Sequence, residues 1–174
     1  SSDVCSSDLP QYAAEADAGQ RVLLPLLRTR GERQVDLLML SHRDSDHVGG
    51  AASLLATGMV RRLSSSLEPA HRLLAMGVPH QPCEAAQGWS WDGVRFEVLH
   101  PTAPELATAS QPNAVSCVLR VSGANGSVLL TGDIESPQEA ALLARGAPLA
   151  SEVLLVPHHG SRTSSSEAFI DAVQ

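Results

Sequence analysis

Residues 35–50 read Val-Asp-Leu-Leu-Met-Leu-Ser-His-Arg-Asp-Ser-Asp-His-Val-Gly-Gly, and this stretch restricts the fold more than any other. An apolar run over 35–40 stops at Ser41. Four metal-type ligands follow within six residues: His42, Asp44, Asp46 and His47. A run of that length, bounded by a turn, suits a buried strand. Gly49 and Gly50 give the backbone room to turn into a following helix. A strand that ends in a polar loop and leads into a helix is the α/β arrangement, which places its chemistry at the carboxyl ends of strands. Two carboxylates this close repel one another without a cation, so the loop predicts a bound metal. The competing reading, a solvated turn rich in His and Asp by chance, does not account for the strand before it and the helix after it.

Two more strand ends carry the same residue types. A strand over 127–131 is followed at once by Gly132-Asp133. A strand over 151–156 is followed by Pro157-His158-His159-Gly160-Ser161. Alone, Asp133 reads as a helix-capping acid and His158-His159 as a surface turn. Taken with the first loop, they predict a two-metal centre built from three remote turns. His100, at the end of a further strand, reads as structural rather than as a ligand.

The intervening chain alternates strands and helices, which sets the class as α/β. Val22, Leu23, Leu26 and Leu27 give a helical face from Gly19 to near Gly31, with Pro25 as a kink or first turn. Helices are expected over 51–57, closed by Gly58, and over 68–76, closed by Gly77, with a short strand over 59–63 between them. Trp89, Trp91, Asp92-Gly93, Val94, Phe96 and Val98 form an alternating hairpin with a type I′ turn, the Trp rings packing on the sheet. Residues 101–112 read as a loop and 114–122 as a strand. Ser136-Pro137 with Glu139 starts a helix that ends at Gly146, and Ser164 with Glu167 forms a capping box for another. The first nine residues have no core-forming pattern and are excluded from the fold. His71 and His80 read as surface residues.

Composition narrows the function. There are 12 basic and 19 acidic residues, and every basic one is Arg. A net charge of −7 argues against a broad nucleic-acid-binding face, but not against a phosphate substrate held by cations. Three cysteines, Cys5, Cys83 and Cys117, form no Cys-x-x-Cys pair, so Cys83 and Cys117 are expected as small buried hydrophobes rather than disulfide partners. No apolar run approaches the length that spans a bilayer.

Four runs together resemble the C-terminal metallo-β-lactamase-like domain of ComEC-type DNA internalisation (competence) proteins. They are Leu-Ser-His-x-Asp-x-Asp-His-x-Gly-Gly, Ser116-Cys117-Val118-Leu119, Leu129 to Glu135, and Val156 to Ser164. The resemblance runs from Gly19 to the end and leaves 1–18 as a non-family tail. It implies a metallo-β-lactamase-like αββα sandwich, truncated at both ends. The opening strands with an Asp-Val-Gly-Gln-Gly-like run are expected to be missing, as are closing strands after Gln174, leaving unpaired sheet edges. It implies two divalent cations, Mn²⁺ or Zn²⁺, held by His42, Asp44, Asp46, His47, Asp133, His158 and His159. His42 and Asp44 face one ion, Asp46 and His47 the other, and Asp133 bridges. One of His158 and His159 ligates while its neighbour contacts substrate phosphate; which is which stays open. Asp46 and His159 are the catalytic pair, and Asn113, Ser116, Ser161, Thr163 and Ser164 line the substrate site. Asp44, standing where the signature usually has His, hardens the first site and favours Mn²⁺. Three carboxylates against two dications leave about +1, a local attraction for a phosphodiester on an acidic chain.

The expected function is a metal-dependent phosphodiesterase or nuclease that degrades one DNA strand during uptake in natural transformation. Its partners are DNA and the membrane channel portion of the same full-length protein. Its place is the bacterial inner membrane, as a soluble extracytoplasmic domain that does not itself insert. The alternatives are hydrolysis of another ester, such as a phosphocholine ester or a lactone, and a non-catalytic domain that binds DNA or the channel.

Overall fold

The computed structural model describes residues 4–6, 11–13 and 16–174, and the chain divides into two compact units, 1–82 and 83–174. In the first unit the strands are β1 (Val4–Ser6), β2 (Gln11–Ala13), β3 (Ala16–Asp17), β4 (Leu37–Leu40), β5 (Leu63–Ser65) and β6 (His80–Pro82). Among the described residues, β1-β4-β5-β6 form a parallel sheet, while β2 and β3 pair as a small separate ribbon. The segment 4–6, set aside on sequence grounds, is thus an edge strand beside β4. All four side chains of β4 are buried, which is why it reads as an unbroken apolar run rather than an alternating one. The helices are α1 (Leu24–Thr29), α2 (Ser45–Val48) and α3 (Ala51–Leu55). Pro25 lies in the first turn of α1, where its missing N–H costs nothing. Leu24, Leu27, Val48, Leu54 and Leu55 close over Leu38, Leu40 and Leu63 to make this unit's core.

The expected strand over 59–63 is displaced. Val60 makes only an isolated bridge to Val35, and the ladder resumes where Leu63 pairs with Leu38. Glycine also acts differently from expectation beside the ligand loop. Gly49 and Gly50 have ordinary helical dihedrals (φ −56° and −91°), so no special turn requires them. A Cβ at Gly19 would instead overlap the carbonyl oxygen of Gly50. Asp17 fastens this close approach. Its carboxylate accepts the Gln20 backbone N–H at 2.8 Å and the Ser53 hydroxyl at 2.5 Å. The chain just after the ligands is thereby tied to the entry of the first helix.

In the second unit β7 (Gly88–Trp91), β8 (Val94–His100), β9 (Val118–Gly123), β10 (Gly126–Leu130) and β11 (Val153–Leu154) form a sheet in the order β11-β10-β9-β8-β7. Its pairs are antiparallel except β10 with β11. The hairpin turn is of the expected type, with φ 49° at Asp92 and 81° at Gly93. Trp89 stacks on Phe96 at 5.2 Å between ring centres, and Trp91 meets the same ring edge-on. Helices α4 (Ala103–Thr108), α5 (Ser136–Ala144) and α6 (Glu167–Val173) complete this unit. Leu99, Val118, Leu129, Ile134, Leu142, Leu149 and Phe169 make its core.

Three local expectations need correction here. The loop over 101–112 contains α4, started by a Thr102–Glu105 capping box with Pro104 in the first turn. Helix α5 is capped one residue earlier than expected, by Glu135 with Gln138, and α6 begins after Ser166, whose side chain does not cap it, rather than at a Ser164–Glu167 box. The buried carboxylate of Glu139 is thereby freed to accept the backbone N–H groups of Ser165 and Ser166. Finally, Cys83 and Cys117 are buried but joined as a disulfide, 6.2 Å apart at Cα. The absence of a sequence motif says nothing about two thiols that folding brings together from 34 positions apart.

Candidate metal and substrate residues

In the first unit, β4 delivers Ser41 and His42 at its carboxyl end and α2 begins immediately. Asp44 occupies the N-cap position of α2, yet its side chain does not cap. Its Oδ2 lies 3.6 Å from His42 Nε2, and Asp46 Oδ2 lies 3.6 Å from His47 Nε2. Both imidazoles are fully buried, with ring centres 4.0 Å apart, whereas both carboxylates are about half exposed. Asp46 and His47 therefore sit on a short helix rather than in a loop. A separation of 3.6 Å exceeds a hydrogen bond and suits two donors sharing a cation. Neutral imidazole nitrogen beside carboxylate oxygen is the donor set of Mn²⁺ or Zn²⁺, so the chemistry of these residues fits such an ion.

In the second unit, Asp133 follows β10 and is nearly buried. Its backbone N–H donates to the buried Ser116 hydroxyl at 3.1 Å, and its Oδ2 lies 3.5 Å from His159 Nε2. Asp133 is not the cap of α5, since Glu135 is. The turn after β11 holds His158, His159 and Gly160 at φ 48°, 52° and 77°, three left-handed residues in succession. That is costly for two non-glycine residues, and it presents neighbouring imidazoles to different partners. His159 faces Asp133. His158 Nδ1 lies 3.1 Å from Glu135 Oε1 and 3.2 Å from Thr163 Oγ1, while its Nε2 lies 3.5 Å from Asn113 Nδ2. Thr163 donates to the same Glu135 oxygen at 2.9 Å, and Ser161 Oγ lies 3.1 Å from Thr163 Oγ1.

The structure thus gathers Asn113, Ser161 and Thr163 around His158, and Ser116 against Asp133. Ser164 is the exception. The residue is 9% exposed and its hydroxyl donates to the Pro157 carbonyl at 2.9 Å, so it closes the turn. Sequence reading missed two residues. Glu135 orients His158, and Ser41 places its hydroxyl 3.1 Å from Nδ1 of both His42 and His47. Each stands next to, or one position removed from, a residue already singled out, and that nearness was the available signal.

His100 is buried and outside these clusters. Its Nε2 is 3.0 Å from the Ala114 carbonyl, which makes it the donor there, and Nδ1 then faces Glu105 and the Arg145 guanidinium. Burial holds its pKa below the ordinary value of 6.5, against the opposing pull of the Ala114 carbonyl and Glu105.

Strand ends in both units of this α/β protein thus present imidazole beside carboxylate, side chains of metal-ligating type. Residues 12–174 match the metallo-β-lactamase superfamily, and the chain belongs to it. Competence protein ComA of Neisseria gonorrhoeae is 40% identical over 157 residues, which cover 90% of this chain and 21% of that protein. ComE operon protein 3 of Bacillus subtilis is 33% identical over 165 residues, again 90% of this chain and 21% of that protein. The similarity anticipated from the four sequence runs is therefore present, and the chain spans about a fifth of these relatives' length. Among solved structures, the CmlA β-hydroxylase E377D mutant superposes with a TM-score of 0.51 at 13% identity, covering 71% of this chain and 26% of that one. That likeness concerns the fold alone, which is the metallo-β-lactamase fold expected from sequence.

Proposed function

We propose that this chain is the hydrolytic part of a longer DNA-uptake protein and cleaves phosphodiester bonds of DNA with two divalent cations, Mn²⁺ or Zn²⁺. The observation that carries the reading is the pair of buried imidazoles, His42 and His47, each with Nε2 turned to a half-exposed carboxylate. Superfamily membership and the competence names of the relatives support a metallo-hydrolase working in DNA uptake. In this reading His42, Asp44, Asp46 and His47 of the first unit, and Asp133 and His159 of the second, are all metal ligands. When bound, the cations supply concentrated positive charge opposite a phosphoryl oxygen. The chain's own residues do the rest. Glu135 and Thr163 hold His158 by Nδ1 with its Nε2 beside Asn113, and as an imidazolium the ring would donate from Nε2 to a substrate oxygen, with the Ser161 and Thr163 hydroxyls close by. This assigns His159 to the metal and His158 to the phosphate.

The proposed location is the outer face of the bacterial inner membrane, next to the channel portion of the same protein. The Cys83–Cys117 disulfide supports it, because such bonds persist in oxidising compartments. Among the described residues, no helix is long and apolar enough to cross a membrane.

The test is digestion of labelled single- and double-stranded DNA by metal-stripped protein to which Mn²⁺ or Zn²⁺ is returned. Cleavage is expected only with metal, and Asp46→Ala should lower it by at least about 100-fold, beyond the usual cost of losing a supporting residue. Cleavage that survives in Asp46→Ala would overturn the assignment. Turnover of a phosphocholine ester or a lactone without DNA cleavage would move it to the alternative ester chemistry.

A further inference from the structure

The geometry points to Ser41 as a positioning residue that sets the tautomer of His42 and His47 together, so that one hydroxyl prepares both rings for metal. The inference rests on the metal-dependent reading above and extends it to a residue outside the ligand set.

Ser41 Oγ is 3.1 Å from His42 Nδ1 and 3.1 Å from His47 Nδ1. The two rings are fully buried and 4.0 Å apart at their centres, so neither has space to turn over. Ser41 itself is anchored, because its carbonyl accepts the Ser66 hydroxyl at 2.6 Å at the end of the neighbouring strand. A hydroxyl has one proton to give and two lone pairs to offer. If it donates to one Nδ1, that ring carries its own proton on Nε2, which is the atom facing Asp44 or Asp46, and cannot ligate through it. If it accepts from both Nδ1–H groups, both Nε2 lone pairs are presented on the carboxylate side. A metal-binding imidazole ordinarily has its other nitrogen fixed by such a partner, usually one partner for each ring. Here adjacency in sequence for His42 and one turn of helix for His47 bring two rings to a single oxygen.

A mere packing role for this hydroxyl predicts no effect on tautomers. The test is a long-range ¹H–¹⁵N correlation spectrum of the histidine rings in the metal-free full chain, combined with calorimetric titration by Mn²⁺. Wild type should show the Nδ1–H form for both His42 and His47. Ser41→Ala should admit the Nε2–H form and weaken uptake of both ions about 10- to 100-fold. Ser41→Thr, which keeps the hydroxyl, should resemble wild type. An Nε2–H form of either ring in wild type overturns the inference whether or not the Ala variant folds. Unchanged tautomers and affinity in Ser41→Ala, or an effect confined to one ion, also overturn it. Wild type that takes up neither Mn²⁺ nor, in a parallel titration, Zn²⁺ yet shows Nδ1–H on both rings would remove the hydrolase reading while upholding the control by Ser41.

Discussion

In the first unit the donor side chains come from six consecutive residues, His42 to His47, at the end of one buried parallel strand. In the second unit Asp133 and His159 stand after two different strands, β10 and β11, and side chains from several elements hold them in place. Ser116 bonds the Asp133 backbone, and Glu135 with Thr163 bonds the ring next to His159. The first arrangement is local: the turn brings its own ligands, and a single serine touches both rings. The second is tertiary, and a disulfide ties the start of its unit to the residue beside Ser116. A locally encoded cluster needs little beyond its turn to form. A dispersed one depends on the packing of the whole unit, so it should be the more easily disturbed.

The largest expected contrast comes from the disulfide. Replacing Cys83 and Cys117 with Ser together should destabilise the second unit by about 2–4 kcal/mol, the range for closing a loop of this size. Hydrogen exchange should speed up in β9 and β10 and stay unchanged in β4. Free thiols at both positions in air-oxidised protein, detected by mass spectrometry, would remove this side of the comparison.

A smaller effect is expected at Glu135. Glu135→Ala removes the cap of α5 and should cost about 1 kcal/mol in thermal unfolding. It should also shift the ring resonances of His158 while leaving those of His42 and His47 in place. Movement of all three would mean that the two clusters are not independently held.

The smallest effect is on acid sensitivity. Because burial holds His100 below 6.5, the unfolded chain takes up this proton more readily than the folded one. The stability carried by neutral His100 is complete above pH 6.5 and is lost as the pH falls through its folded value. Denaturant titrations of wild type should show stability falling on acidification below 6.5, and His100→Gln should flatten that slope. Equal slopes in the two proteins would place the buried charge elsewhere.

Much of this was legible along the chain because the physics is short-range. The apolar run ending at Ser41, the Asp92-Gly93 turn and the helix-stopping Gly77 each act through neighbours a few positions away. Local rules also misled where two of them competed. Ser136 and Glu139 have the right types for a helix start, yet Glu135 with Gln138 takes the cap, and Glu139 is drawn away by the backbone of Ser165 and Ser166. The Thr102–Glu105 box is written in the sequence, inside a segment that Pro101 and Pro112 give the look of a loop. Ser164 looked like one more phosphate-binding hydroxyl until the turn enclosed it against Pro157.

By itself, then, the order of residues determined the α/β class, the ligand-rich stretch after β4 and the kinship with metallo-β-lactamases, since each is written in contiguous residues. Only the tertiary structure decided that Cys83 meets Cys117, that His159 faces Asp133 while His158 faces Glu135, and that one Ser41 hydroxyl serves two rings. These pairings depend on where strands and turns are carried by burial of their apolar faces. No local propensity encodes the distance between side chains that only the packed core brings together.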